Sequence, residues 1–368
     1  PSIADPFLPN KIKEGRIDDI RECIGCNICV TGDMTMSISR CTQNPTFMEE
    51  WRKGWHPETM NTKGSSENVL IVGAGPAGLE AARALAVRGY DVALAEAGTV
   101  LGGRVARERH LPGLSAWGRV ADYREYQLSQ RPNVETYFDS HLSAAEILEF
   151  GFQNVAIATG ATWRRDGVAR QHVVPMKIAG EAKIYTPDDL MAGTVPTGNV
   201  VVFDDDHYYM GGVLAELLMQ KGAKVTLITP SAFVSDWTNN TLEQSTIHRK
   251  LDALGVNIVL NRGVAEIAAG HVVSDCVYTG KTRDYAADAV VLVTSRNAND
   301  QVYHDLLARQ EEWADAGILS VKVFGDAEAA GPIAWATYAG HRYARELDGE
   351  PIGDALPFRR EITELAPK

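Results

Sequence analysis

The sequence is poor in cysteine, in positive charge and in long apolar runs. Only five cysteines occur in 368 residues, and their grouping provides no paired framework of disulfides. Thirty-six Lys and Arg stand against 48 Asp and Glu, a net charge of −12, which argues against a nucleic-acid partner and against an anionic membrane face. No apolar run approaches the roughly 20 residues that a membrane-spanning helix requires. The opening residues lack the pattern of a secretory signal. No Ser-His-Asp, metal-hydrolase or paired-carboxylate arrangement stands out, so no catalytic acid or base is assigned within the chain. Apolar material is ample: at 45% hydrophobic the chain can fill two or more cores, and its length suggests two or three domains.

The scarce cysteines are concentrated. Cys23-Ile24-Gly25-Cys26-Asn27-Ile28-Cys29 is followed by Cys41. This is a ligand set for one iron–sulfur cluster, because a cubane takes four thiolates and turns bearing a cysteine every third residue wrap three of its corners. Gly25 frees the backbone, and Ile24, Ile28 and Val30 can shield the cluster from water. A structural zinc site or two disulfides are the alternatives; zinc held by four cysteines usually shows two separated C-x2-C knuckles, whereas here the pairs are fused into a triplet. Trp51, Trp55 and the Gly54-Trp55-His56-Pro57 turn either cover the cluster or pack as ordinary aromatics. Cys276, alone in the expected strand Val273-Ser274-Asp275-Cys276-Val277, reads as a small buried hydrophobe. An oxygen-sensitive cluster without paired cysteines indicates a reducing compartment, taken as cytoplasmic.

Residues 1–20 are punctuated by proline and are expected to become helical around Ile12–Ile20. Residues 61–67 form a polar linker. Asn68-Val69-Leu70-Ile71-Val72 is then a continuous apolar run, as a buried parallel strand should be. Gly73-Ala74-Gly75-Pro76-Ala77-Gly78 follows, with helical composition from Leu79 to Arg88 and a second strand, Asp91–Glu96. Strand, GxGxxG, helix, strand and acid together form the dinucleotide fingerprint in its full context. Gly73 makes the tight turn, Gly75 lets a pyrophosphate approach the backbone, and Gly78 lets helix and strand pack closely. The helix N-terminus faces the phosphates, and Glu96 accepts from adenosine ribose hydroxyls and disfavours a 2′-phosphate.

Further on, a helix around Trp117–Gln130 and strands at Val134–Phe138 and Asn154–Gly160 are expected. A second βαβ unit begins at Asn199–Phe203, with a helix Val213–Lys221 and a strand Lys224–Thr229. Its phosphate turn is degenerate: Asp204-Asp205-Asp206-His207-Tyr208-Tyr209-Met210-Gly211-Gly212 lacks the first two glycines. Carboxylates and tyrosines there would repel or block a pyrophosphate. The acidic run is expected to be a solvated turn or an interface with another segment, and His207 a turn histidine with satisfied hydrogen bonds. Residues 257–293 read as a three-stranded meander and a closing strand. A strand from Ser320 ends in Gly325-Asp326, followed by a helix Ile333–Leu347 and an irregular tail after Pro351.

Three features, CIGCNICV…SRCTQN, VLIVGAGPAGLEAARAL and GDAEA, together resemble the C-terminal half of the trimethylamine dehydrogenase family. These are iron–sulfur flavoproteins that include dimethylamine and histamine dehydrogenases and, more distantly, 2,4-dienoyl-CoA reductase. The resemblance runs over essentially the whole chain. It implies an α/β fold with two Rossmann-like, FAD/NAD(P)-binding domains of the glutathione-reductase type, the second inserted in the first, preceded by an iron–sulfur cluster segment. The domains would be 1–64 (barrel exit and cluster), 65–195 with 318–368 (adenine nucleotide), and 196–317 (a NAD(P)-like domain with a degenerate phosphate site). Cys23, Cys26, Cys29 and Cys41 would hold a 4Fe-4S cluster. Gly73, Gly75, Pro76, Ala77, Gly78, Glu96, Ala97, Gly103, Arg104, Thr159, Gly160 and Asp326 would line a site for ADP or, as in the reductase branch, FAD.

The resemblance further implies an amine dehydrogenase acting on a methylated or primary amine. FMN would sit in an N-terminal barrel absent from these residues, and electrons would leave through the cluster to an electron-transferring flavoprotein. The opening PSIADPFLPNKI resembles the exit of that barrel, and Pro1 is expected either to continue a longer polypeptide or to start a processed subunit. A homodimer is expected. The alternatives are an NAD(P)H-dependent reductase carrying FAD, FMN and 4Fe-4S, and a non-catalytic electron-transfer subunit.

Overall fold

A computed structural model describes residues 2–349; the irregular tail expected after Pro351 lies outside the described residues. Two parallel sheets are arranged in series. In the first, the strands run in the order Ser320–Val323, Asn154–Ile157, Val69–Val72, Val92–Ala95 and Val134–Tyr137, all parallel. Every residue of Val69–Val72 is buried, and the alternation of strand side chains divides them. Val69 and Ile71 face the layer that includes Leu79 and Leu85, whereas Leu70 and Val72 face Ile147 and Leu306. Burial on both faces is why this strand is written as an unbroken apolar run.

The second sheet runs Asn257–Val259, Lys224–Ile228, Asn199–Asp204, Ala289–Val293 and Ile184–Tyr185, again parallel. One face joins the same core layer as Ile71 and Leu79. The other is covered by the meander Arg262–Ala268, Gly270–Cys276 and Thr282–Ala287, whose Val264, Ile267 and Val272 pack on Val201 and Phe203. An antiparallel pair, Ala161–Trp163 with Arg296–Ala298, joins the outgoing and returning crossovers. The fold is therefore the expected α/β arrangement of two dinucleotide-type units, one sheet's strands interrupted by the other's.

Three local expectations shift. The first helix covers Leu8–Lys13 rather than Ile12–Ile20: Pro9 suits a first turn, and Gly15 at φ +74° turns the chain out immediately afterwards. The second unit's helix starts at Met210, ahead of Val213. The edge strands Lys177–Ile178 and Ile184–Tyr185 pair with the meander and the second sheet, so the crossover precedes residue 177 instead of falling at 195. Strands of two residues carry too little pattern to be read from sequence.

Candidate functional site: a thiol loop beside one open and one filled nucleotide turn

The first site is built on the cysteine loop. Left-handed backbone at Gly25 (φ +72°) and Asn27 (φ +50°) folds Cys23–Cys29 tightly enough for its thiols and that of Cys41 to influence one another electrostatically. Cys23 is exposed and the other three are half-buried, and all are free thiols rather than disulfides. Ile24 and Ile28 are buried beside them. Burial pushes the Cys26 thiol up to about 11 and raises those of Cys29 and Cys41. Sulfurs so placed ionise when a metal centre compensates the charge. The donor set therefore fits an iron–sulfur cluster. Among the described residues no three His, Cys, Asp or Glu side chains converge to grip one metal ion; a cubane instead spreads its thiolates over separate corners.

Neighbouring segments pin this loop. Thr42 Oγ1 meets Cys26 Sγ at 3.2 Å, the Asn27 amide donates to Thr241 O of the second unit at 3.0 Å, and Arg119 donates to Cys23 O at 3.0 Å. Trp55 is buried against the rings of Tyr338 and His341, whereas Trp51 is exposed.

The second site lies beyond the carboxyl ends of the first sheet, where ligands of such sheets bind. A Cβ on Gly73 would stand 2.5 Å from Ala158 O, and one on Gly78 would stand 1.9 Å from Gly73 O, so strand, turn and helix close only without side chains there. Gly75 has open space in front of it at the start of the Pro76–Arg88 helix, whose N-terminal dipole favours an anion. Ala77 lies in the first turn of that helix, close enough that a Cβ on Gly325 would meet it at 2.7 Å. Glu96 closes the turn: its carboxylate accepts from Ala74 N at 2.9 Å and Gly98 N at 2.8 Å. Ala97 is exposed beside it. Gly102 N donates to Ala74 O at 2.8 Å, placing Gly103 over Gly75, with 3.0 Å between a Cβ there and Gly75 Cα. Thr159 and Gly160 are also at this end, but both are tied to the returning crossover. Thr159 Oγ1 donates to Asn299 O at 2.5 Å, and Asn299 N donates to Gly160 O at 2.9 Å.

Arg104 and Asp326 meet each other as well as the cleft. Asp326 accepts from Arg104 at 2.9 Å, from Arg296 at 2.6 Å and from Gly331 N at 3.0 Å. Arg296 also lies over the Trp163 ring. Trp117 packs edge-on against Tyr209, with centroids 4.5 Å apart. Arg104, Trp117 and Tyr209 border a small cleft that reaches Cys26. Sequence reasoning missed Arg296 and Trp117 as site residues, since they come from segments outside both glycine turns, and it read Tyr209 only as part of the degenerate one.

The second unit's phosphate turn is filled by its own side chains. Asp204 and Asp205 are buried, not solvated, which corrects the expectation of a solvent-facing acidic turn; the interface alternative holds. Asp204 lies against the first turn of the Met210–Gln220 helix, where a Cβ on Gly211 would stand 2.5 Å from its carboxyl carbon. Burial, reinforced by Asp206, pushes the Asp204 carboxyl up to about 7. His207, at φ +64°, contacts Asp205 through Nε2 at 3.3 Å. Tyr208 packs on Tyr209 and Trp237. A second pyrophosphate has no room at this helix end.

Two dinucleotide-type units in series, with one open phosphate turn, define a chain of the flavoprotein oxidoreductase class. It belongs to the pyridine nucleotide-disulphide oxidoreductase family, whose pattern matches residues 67–318. The particular kinship is narrower. The chain is 71% identical to histamine dehydrogenase from Rhizobium sp. 4-9, with a TM-score of 0.96, covering 100% of this chain and 57% of that one. It is 47% identical to 6-hydroxypseudooxynicotine amine oxidase from Pseudomonas geniculata N1, with a TM-score of 0.90 over 94% of this chain and 52% of that one. It is 39% identical to dimethylamine dehydrogenase from Hyphomicrobium sp. (strain x) over 98% of this chain and 53% of that protein. The resemblance to the trimethylamine dehydrogenase family is thus borne out, and the chain spans about half the length of these relatives.

Proposed function

We propose that this chain is the electron-transfer half of an iron–sulfur flavoprotein amine dehydrogenase, an oxidoreductase acting on C–N bonds of a methylated or primary amine. Residues 2–64 form the cluster segment, and Cys23, Cys26, Cys29 and Cys41 hold 4Fe-4S. The unit from 65 to the crossover ahead of 177, rejoined at 318, takes an adenine nucleotide at Gly73–Gly78, Glu96 and their neighbours. The remaining inserted unit is structural. FMN belongs to an N-terminal barrel outside these residues, the acceptor is an electron-transferring flavoprotein, and the assembly is a cytoplasmic homodimer.

The observation that carries this reading is a cysteine loop tied to Arg119 of the first unit and Thr241 of the second, in a chain with one open phosphate turn and one occupied by Asp204. The cluster, when bound, supplies one-electron transfer. The chain's own residues do the rest. Ile24 and Ile28 keep water from the thiols, Arg119 and Asn27 hold the loop against both units, and the helix at Gly75 receives the diphosphate. No proton moves through these residues, consistent with bond-breaking elsewhere.

ADP is favoured over FAD. Asp326, beside the open turn, is already held by Arg104 and Arg296, with Trp117 and Tyr209 packed together nearby, which supports a short nucleotide at Gly73–Gly78. An NAD(P)H-dependent reductase would need the second phosphate turn. The test is anaerobic purification with iron and sulfide analysis and mass measurement of the extracted nucleotide. Four irons with ADP are expected. Extracted FAD, or bleaching by NAD(P)H alone, would overturn the assignment in favour of the reductase.

A further inference from the structure

One buried polar group outside both sites has no part in binding a nucleotide, yet it is linked through Gln43 to both cysteine-bearing segments of the loop. Arg124, on the Arg119–Ser129 helix, is fully buried. Its guanidinium donates to Glu80 Oε2 at 2.8 Å, to Val120 O at 2.9 Å, to Gln43 Oε1 at 3.0 Å and to Gln43 O at 3.2 Å. Glu80 keeps that cation paired. Burial alone would raise its carboxyl, but Arg83, Arg124 and His341 more than reverse this and hold it well below the usual range. A buried arginine with every donor nitrogen engaged is a fixed element, because leaving any of them unpaired is costly.

Gln43 is the other end of the link, and it is 1% exposed. Its amide nitrogen donates to Glu22 O at 3.0 Å and to Arg119 O at 3.1 Å. Glu22 precedes Cys23, and Gln43 follows Cys41 by two residues. The backbone of Gln43 and Asn44 lies close enough to the Cys41 sulfur to favour its thiolate. A guanidinium that grips both the side chain and the carbonyl of Gln43 fixes the planar Gln43–Asn44 peptide, two residues past that sulfur. N–H···S hydrogen bonds and a nearby positive charge stabilise the reduced, more negative state of an iron–sulfur centre and raise its potential.

We propose that Arg124, acting through Gln43, is a positioning residue that orients the Cys41 and Cys23 ligand turns and raises the reduction potential of the cluster. The proposal rests on the cluster reading above. It also ties the nucleotide helix to the cluster, since Glu80 lies on Pro76–Arg88, the helix that begins at the phosphate turn.

The test compares wild type, Arg124→Met, Arg124→Lys and Gln43→Met in the whole protein purified without air. Iron content, the midpoint potential from a redox titration, and the EPR spectrum of the dithionite-reduced form are measured. Arg124→Met and Gln43→Met are expected to lower the potential and alter the EPR signal, or to lose iron while far-UV dichroism is kept. Arg124→Lys, which retains charge without the planar fork, is expected to lie between. Wild-type potential and signal in Gln43→Met with full iron overturn the proposal, including in the case where Arg124→Met fails to fold. A wild-type protein free of iron refutes the cluster itself, which is a separate result.

Discussion

Arg296 and Asp326 meet at 2.6 Å across the boundary between the two units. Asp326 belongs to the first unit's Gly-Asp turn, and Arg296 to the ribbon through which the chain returns from the second. Arg104 completes the group at 2.9 Å. The aspartate is thus committed to two guanidinium groups of its own chain. Removing one cation leaves a largely buried carboxylate with a single cationic partner beside Gly331 N. Arg296→Ala is expected to destabilise the protein by roughly 1–3 kcal/mol and to loosen the crossover, read by chemical denaturation and by amide exchange at residues 296–299.

The glycines of the open turn separate folding from binding. Gly78→Ala puts a methyl 1.9 Å from Gly73 O, and backbone cannot yield cheaply, so a loss of about 2–3 kcal/mol in stability is expected. Gly75→Val meets open space and changes stability by less than about 1 kcal/mol. It fills the approach to the helix N-terminus, so ADP affinity should fall at least about tenfold. Calorimetry with ADP beside thermal melting distinguishes the two.

Cys29→Ala removes one thiolate from the ligand set. Iron content should drop below that of the wild type, and reoxidation of reduced flavin in the complete enzyme should stop. Unchanged iron would contradict the assignment of Cys29 as a ligand. Cys276→Ala, at a thiol far along the chain in the meander, is expected to leave iron content as it is.

Asp204 makes stability depend on pH. Its carboxyl is raised to about 7, first by burial and then by Asp206. A raised folded-state value means that the stabilising protonated form is fully present below the ordinary carboxylate range. That contribution is lost as pH rises through about 7. Asp204→Asn cannot ionise, so it should stabilise the protein by roughly 1–3 kcal/mol at pH about 8 and by almost nothing at pH about 4. Urea unfolding at the two pH values checks the sign.

How much of this was legible varied with how local the cause is. The phosphate turn was readable because each glycine answers to a neighbour within a few residues: Gly78 to Gly73, and Gly75 to the helix it opens. The apolar strands were readable because burial on both faces leaves no polar position in Val69–Val72. The acidic run was half readable. Its composition ruled out a phosphate, but nothing in Asp204–Asp206 discloses that the carboxylates turn inward onto the Met210–Gln220 helix. Arg124 was not readable at all: in sequence it is one arginine among polar residues, and its partners Glu80 and Gln43 lie 44 and 81 positions away.

The order of amino acids by itself determined the cysteine spacing, the single intact glycine turn and the unbroken apolar runs that make two parallel sheets, since each follows from short-range sterics and from burial on both strand faces. Only the tertiary structure decided which charges meet. Arg296 reaches Asp326 because the inserted unit returns to the first sheet, and Arg124 reaches Gln43 because the cysteine segment packs against the Arg119–Ser129 helix. An ion pair between distant segments leaves no period in the chain; it exists only once burial has removed the water that would otherwise solvate both partners.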